Sequence, residues 1–120
     1  MANFISCYEA NPIILMEGAL GERLKREYGL QPDYDVALAN ILYRQGGKKA
    51  LIELWSQYID IAKVYHIPFI ATTPTRRANI ERVAKAGYDK NIIFDNVSIL
   101  KQLRDLTDIE MYIGGLMGCR

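Results

Sequence analysis

Pro12-Ile13-Ile14-Leu15-Met16-Glu17-Gly18 is the stretch that decides how the rest of the chain is read. It is apolar from Pro12 to Met16, carries β-branched Ile13 and Ile14, and breaks at once into a carboxylate and a glycine. A run that is apolar throughout, with no alternation, reads as a buried strand of a parallel sheet. The glycine turn leads into Leu20 to Tyr28, where Leu20, Leu24 and Tyr28 fall at helical spacing. Gly29 stops that helix as its C′ residue, and Pro32 lies just beyond. Strand, tight turn and helix make the first unit.

The same grammar recurs further along. Ile67-Pro68-Phe69-Ile70-Ala71-Thr72 reads as a second buried strand, with Pro68 near its start, where a missing N–H is tolerated. Glu110-Met111-Tyr112-Ile113-Gly114 reads as a third, and Gly115 to Arg120 leaves it as a glycine-rich turn. Helices fill the intervals. Tyr34 to Gln45 is predicted helical and ended by Gly46-Gly47. Lys48 to His66 has the broadest apolar face, through Leu51, Leu54, Trp55, Tyr58, Ile61, Ala62 and Tyr65. Thr75 is a candidate cap for a helix from Arg76 to Ala86, stopped by Gly87. Asp95 or Asn96 is a candidate cap for Val97 to Leu106. The order predicts an α/β fold in which parallel strands, neighbours in chain order, are covered on both faces by helices. Residues 1–120 form a single unit in this reading.

Composition narrows the class. The chain has 120 residues, 50% of them hydrophobic and 24% charged, with a net charge of +1. That is one ordered domain at most, and it excludes intrinsic disorder and a nucleic-acid binder driven by bulk charge. The cysteines, Cys7 and Cys119, lie at opposite ends, and His66 is the single histidine. Neither a disulfide framework nor a four-ligand zinc spacing can be built from them. The first residues lack a basic segment followed by a long apolar one, and no apolar run is long enough for a bilayer. A soluble, cytoplasmic protein is expected, without membrane or nucleic-acid partners.

Each strand ends in an unusual cluster: Glu17-Gly18-Ala19-Leu20-Gly21, Thr72-Thr73-Pro74-Thr75 and Gly114-Gly115-Leu116-Met117-Gly118. Carboxyl ends of parallel strands carry the site in α/β folds, so the three clusters are expected on one rim. The candidate substrate-binding residues are Glu17, Gly18, Ala19, Thr72, Thr73 and Gly115. Amides of Gly18 and Ala19 at a helix start suit a carboxylate, and Glu17 suits an ammonium. Thr72 and Thr73 offer hydroxyls, and Gly115 allows close approach of a ligand to the backbone. Beside this stands a plainer account: a turn glycine, β-branched strand residues, a capping Thr75, and Arg76 and Arg77 as solvated cations. The glycines are no Walker loop, because no Gly-Lys-Ser/Thr follows, and no dinucleotide fingerprint, because no helix or acidic partner remains downstream. His66, between a helix end and a strand start, belongs to the structural face.

Three segments also resemble one family. Ile14-Leu15-Met16-Glu17-Gly18-Ala19-Leu20-Gly21-Glu22-Arg23-Leu24 is similar to the opening of homocysteine S-methyltransferases, where a strand ends in Asp-Gly-Ala/Gly-Met-Gly. Thr72-Thr73-Pro74-Thr75 resembles their second-strand Thr-Thr-Asn-Thr, and Ile113-Gly114-Gly115-Leu116-Met117-Gly118-Cys119-Arg120 their third-strand Ala-Gly-Ser-Ile-Gly-Pro-Arg. The resemblance implies a (β/α)8 TIM barrel that transfers a methyl group to the thiol of homocysteine, a reaction of methionine biosynthesis. It also implies a zinc ion, held by three cysteines, that activates the thiol. Two positions depart from the pattern: Glu17 stands for Asp, and Pro74 for Asn. The family's zinc cysteines lie on later strands, so neither Cys7 nor Cys119 is a ligand. The chain reads as an incomplete barrel fragment, strands one to three of a longer parent, with no catalytic residue or metal ligand of its own. Zinc, homocysteine and an undetermined methyl donor belong to that parent, and the fragment is expected to self-associate. The alternative is a stand-alone, non-enzymatic α/β module for ligand binding or assembly, which a third strand lying between the other two would favour.

Overall fold

The computed structural model describes residues 3–118. In chain order it has helix α1 (Phe4–Ala10), strand β1 (Leu15–Met16), helix α2 (Leu20–Tyr28), a 3₁₀ turn at Ile41–Tyr43, and helix α3 (Gly47–Tyr65). Strand β2 (Phe69–Thr72), helices α4 (Ile80–Lys85) and α5 (Asn91–Leu106) and strand β3 (Met111–Gly114) follow. The sheet is parallel, in the order β1-β2-β3. The architecture is therefore α/β, with strands neighbouring in chain order as the apolar runs predicted.

Register assigns the two faces. Leu15, Phe69 and Met111 lie side by side across the sheet, as do Met16, Ile70 and Tyr112, and Thr72 pairs with Gly114. The first row, with Ala71 and Ile113, packs into the core with Leu51, Leu54, Trp55 and Ala62 of α3 and Ile99 and Leu100 of α5. Tyr58 of α3 stacks its ring parallel to Phe69, with centroids 6.0 Å apart. The long helices cover this face. The other face is more open than predicted: Met16 is 51% exposed, and the cover comes from α1, whose Phe4 ring meets Tyr112 edge-on at 5.6 Å. Helix α1 has no counterpart in the sequence reading. Asn3 caps it, its side-chain oxygen accepting the Ser6 N–H at 2.9 Å.

Tyr34 to Gln45 is not a helix. Its apolar residues serve two clusters in different directions: Val36 and Ala39 pack with Val83 and Ile92, while Ile41 joins the main core. One helical face cannot point both ways. Asp33 organises a turn instead, its Oδ1 accepting the N–H groups of Asp35 (2.8 Å) and Val36 (3.0 Å), and Ala37 sits in left-handed geometry at φ 54°. Gly46-Gly47 accordingly opens α3 and ends no helix.

Two caps also differ. Asn79 caps α4, accepting the Arg82 N–H at 2.9 Å, so Arg76 and Arg77 lie in the loop before it. The Thr75 hydroxyl donates to the Leu116 carbonyl at 2.9 Å and ties the β2 loop to the segment after β3. Helix α5 starts six residues before the predicted Val97, and Asp89 accepts the Asn91 N–H at 2.9 Å. Asn96 is interior, donating to the carbonyls of Ala39 and Ile92 at 2.8 Å each. It fastens the irregular loop to α5. Cys119 and Arg120 lie outside the described residues.

Candidate functional site

A cavity of about 360 Å³ opens at the carboxyl ends of the strands. Glu17 leaves β1 there and reaches across to β2. Its Oε1 accepts the Thr72 N–H at 2.7 Å and the Thr72 hydroxyl at 2.6 Å. Its Oε2 is buried and has no hydrogen-bond partner among the described residues. A carboxylate oxygen can only accept, so this atom calls for a donor or a cation, and leaving it bare carries a desolvation penalty. Ala19, at φ 54°, begins α2 without a side-chain cap and lines the cavity beside Leu20. The first turn of α2 fits close under the irregular loop: a Cβ on Gly21 would stand 3.3 Å from Leu38 Cδ1. Leu38 and Ala37 thus complete an apolar wall, and Pro74, Arg76 and Arg77 form part of the lining from the β2 loop, the two arginines being exposed.

Of the candidate residues, Glu17, Ala19, Thr72 and Thr73 come together in this lining. Gly18 and Gly115 are not part of it. The Gly18 N–H donates to the Tyr58 hydroxyl at 3.2 Å, and that hydroxyl donates to the Gly18 carbonyl at 2.8 Å. The third strand contributes through Leu116, whose N–H donates to Thr73 Oγ1 at 3.3 Å. Gly118 passes so near Arg76 that a Cβ would lie 2.6 Å from its carbonyl oxygen, so this glycine serves close packing of the two loops. Thr73 is 1% exposed, and its hydroxyl is shared with Thr75 Oγ1 at 2.7 Å. Ala37, Leu38 and Tyr58 are the residues that sequence reasoning missed. Ala37 and Leu38 were hidden by the helix assigned to them, and Tyr58 by its place in an apolar stripe.

Among the described residues no three His, Cys, Asp or Glu side chains gather closely enough to hold an ion. Burial, then the Glu110 carboxylate, pushes the Cys7 thiol up, away from the thiolate that zinc requires. The described residues do not fit the zinc that the resemblance implies. His66 ends α3 in left-handed geometry and lines a separate cleft with Pro68 and Ile109. No helix among the described residues is long and apolar enough to cross a membrane.

The chain matches no family model, no curated protein and no solved structure.

Proposed function

We propose that the rim cavity binds a small α-amino acid, and that it is the amino-acid-binding part of a homocysteine S-methyltransferase-like protein. The observation that carries this is the buried, unpartnered Glu17 Oε2. Glu17 shares one lining with the cationic Arg76 and Arg77 and the apolar Leu20, Leu38 and Leu116. An amino acid presents the matching groups: an ammonium for Glu17, a carboxylate for an arginine and a short apolar or thiol-bearing side chain for the leucines. The strand order β1-β2-β3 is what successive strands of a TIM barrel take, and an open parallel sheet takes it equally. In the proposed methyl transfer zinc, held by residues other than the described ones, would activate the thiol. The described residues supply binding and orientation alone.

Calorimetry tests the reading. L-homocysteine should bind at least about tenfold more tightly than mercaptobutyrate, which has the thiol and carboxylate but no ammonium. Glu17→Gln keeps an acceptor for Thr72 and removes the charge, so it should erase that preference while the thermal melt stays cooperative. Equal affinity of the native chain for both compounds defeats the proposal.

A further inference from the structure

We infer that Tyr58 is the positioning residue of this site: its hydroxyl clamps the Gly18 peptide and thereby holds the Glu17 carboxylate against Thr72. The inference rests on the cavity reading above and extends it to a residue that does not line the cavity.

The geometry is two-sided. One hydroxyl both accepts the Gly18 N–H, at 3.2 Å, and donates to the Gly18 carbonyl, at 2.8 Å. A single donor-acceptor group thus satisfies both polar atoms of the residue that follows Glu17. That peptide needs fixing from outside. Gly18 has no side chain and nothing within 4 Å of its Cβ position, so packing does not hold it. β1 is two residues long, and α2 starts at Leu20 with no side-chain cap. Without Tyr58, Glu17 would hang on a short strand end and a glycine.

Tyr58 is itself well anchored. It projects from α3, a helix of 19 residues, and its ring lies parallel to Phe69 at 6.0 Å. Phe69 is fully buried and opens β2, whose last residue is Thr72. One side chain therefore links the Glu17 turn to the strand that carries Glu17's own partner. From α2, Arg23 faces the same hydroxyl, its guanidinium favoured in the charged form first by Glu27 and then by Tyr58. The ring supplies stability and the hydroxyl supplies aim, and these two contributions separate by mutation.

The test compares Tyr58→Phe and Tyr58→Leu with the native chain, by amide NMR without ligand and then by calorimetry with L-homocysteine. In Tyr58→Phe the melting temperature should hold while solvent exchange of the Thr72 amide speeds up about fivefold or more, since the Glu17 acceptor is no longer fixed. Tyr58→Leu should show the same faster exchange and a lower melting temperature, because the stack is gone. Homocysteine affinity should fall about fivefold in Tyr58→Phe. An unchanged Thr72 amide in a folded Tyr58→Phe overturns the inference. So does a Thr72 amide that changes only in Tyr58→Leu, because the ring alone would then hold the turn. Failure of the native chain to bind homocysteine strikes the amino-acid reading and leaves the ligand-free NMR comparison to decide on Tyr58.

Discussion

Gly47 sits where no side chain fits. A Cβ there would stand 1.7 Å from the Ile41 carbonyl oxygen, a backbone atom that cannot swing aside. The close approach lets the irregular loop fold back onto the first turn of α3, which brings Ile41 into the core. Gly47→Ala must push the loop and helix apart, and the expected loss is about 3 kcal/mol, at the upper end of overpacking costs. A urea melt should show a lower midpoint with an unchanged slope. Gly46, at φ 76° with open space around its Cβ position, is constrained only by backbone geometry, so Gly46→Ala should cost about 1 kcal/mol. If the two variants prove equally stable, the close contact at Gly47 does not govern the loop. Glu17 belongs to the same scale: one added methylene relative to aspartate, and a carboxylate that spans from the end of β1 to the end of β2.

At the scale of the element, the Asp33 carboxylate is one anchor of the loop from Asp33 to Gly46, beside Asn96 and the two apolar clusters. The Asp33 carboxyl is held below its ordinary value, first by the Val36 N–H, then by that of Asp35, with Arg44 nearby, while burial opposes them. A group whose folded value is depressed stabilises above its unfolded pKa, and that contribution is lost as pH falls through the folded value. The loop should therefore hold at neutral pH and loosen below about pH 4. Amide exchange at Val36, followed from about pH 5 to about pH 3 and corrected for intrinsic rates, should lose protection in this range. Asp33→Asn keeps an acceptor without the titration and should respond flatly there. Equal profiles in both proteins would place the pH sensitivity elsewhere. Because Ala37 and Leu38 line the rim cavity, ligand affinity should weaken over the same interval.

For the whole molecule, the uneven cover of the sheet is the dominant feature. Helices α3 and α5 bury one face, while the row Met16, Ile70 and Tyr112 on the other face is covered only in part. β1 and β3 are both edges of the described sheet. Open edges beside apolar surface favour pairing between chains. The 120-residue chain is expected to self-associate, with a sedimentation coefficient that rises with concentration, and Met16→Lys should shift it toward monomer. A monodisperse, cooperatively melting monomer across the concentration range would show that the chain closes its own core, and the stand-alone ligand-binding module would become the better account.

Local pattern was enough to place the three parallel strands and α3, although β1 shrinks to Leu15–Met16 with Ile13 exposed, and Ile61 and Tyr65 of the apolar stripe on α3 face solvent. An unbroken apolar run between turn residues has one economical conformation in a parallel sheet, and a long three-and-four spacing has one in a helix. Glu17, Ala19, Thr72 and Thr73 were legible as residues of one rim for the same reason, since they lie at or just past strand ends. What lay beyond the sequence depends on partners distant along the chain. Residues 34–45 look helical until two apolar clusters pull their side chains apart. Thr75 looks like a cap until Leu116 supplies a carbonyl. Tyr58 looks like core until its hydroxyl meets Gly18, 40 residues away, just as Glu17 meets Thr72 across 55. Periodicity is a short-range property set by backbone geometry. Which polar atom completes which other is decided only when packing brings those segments together.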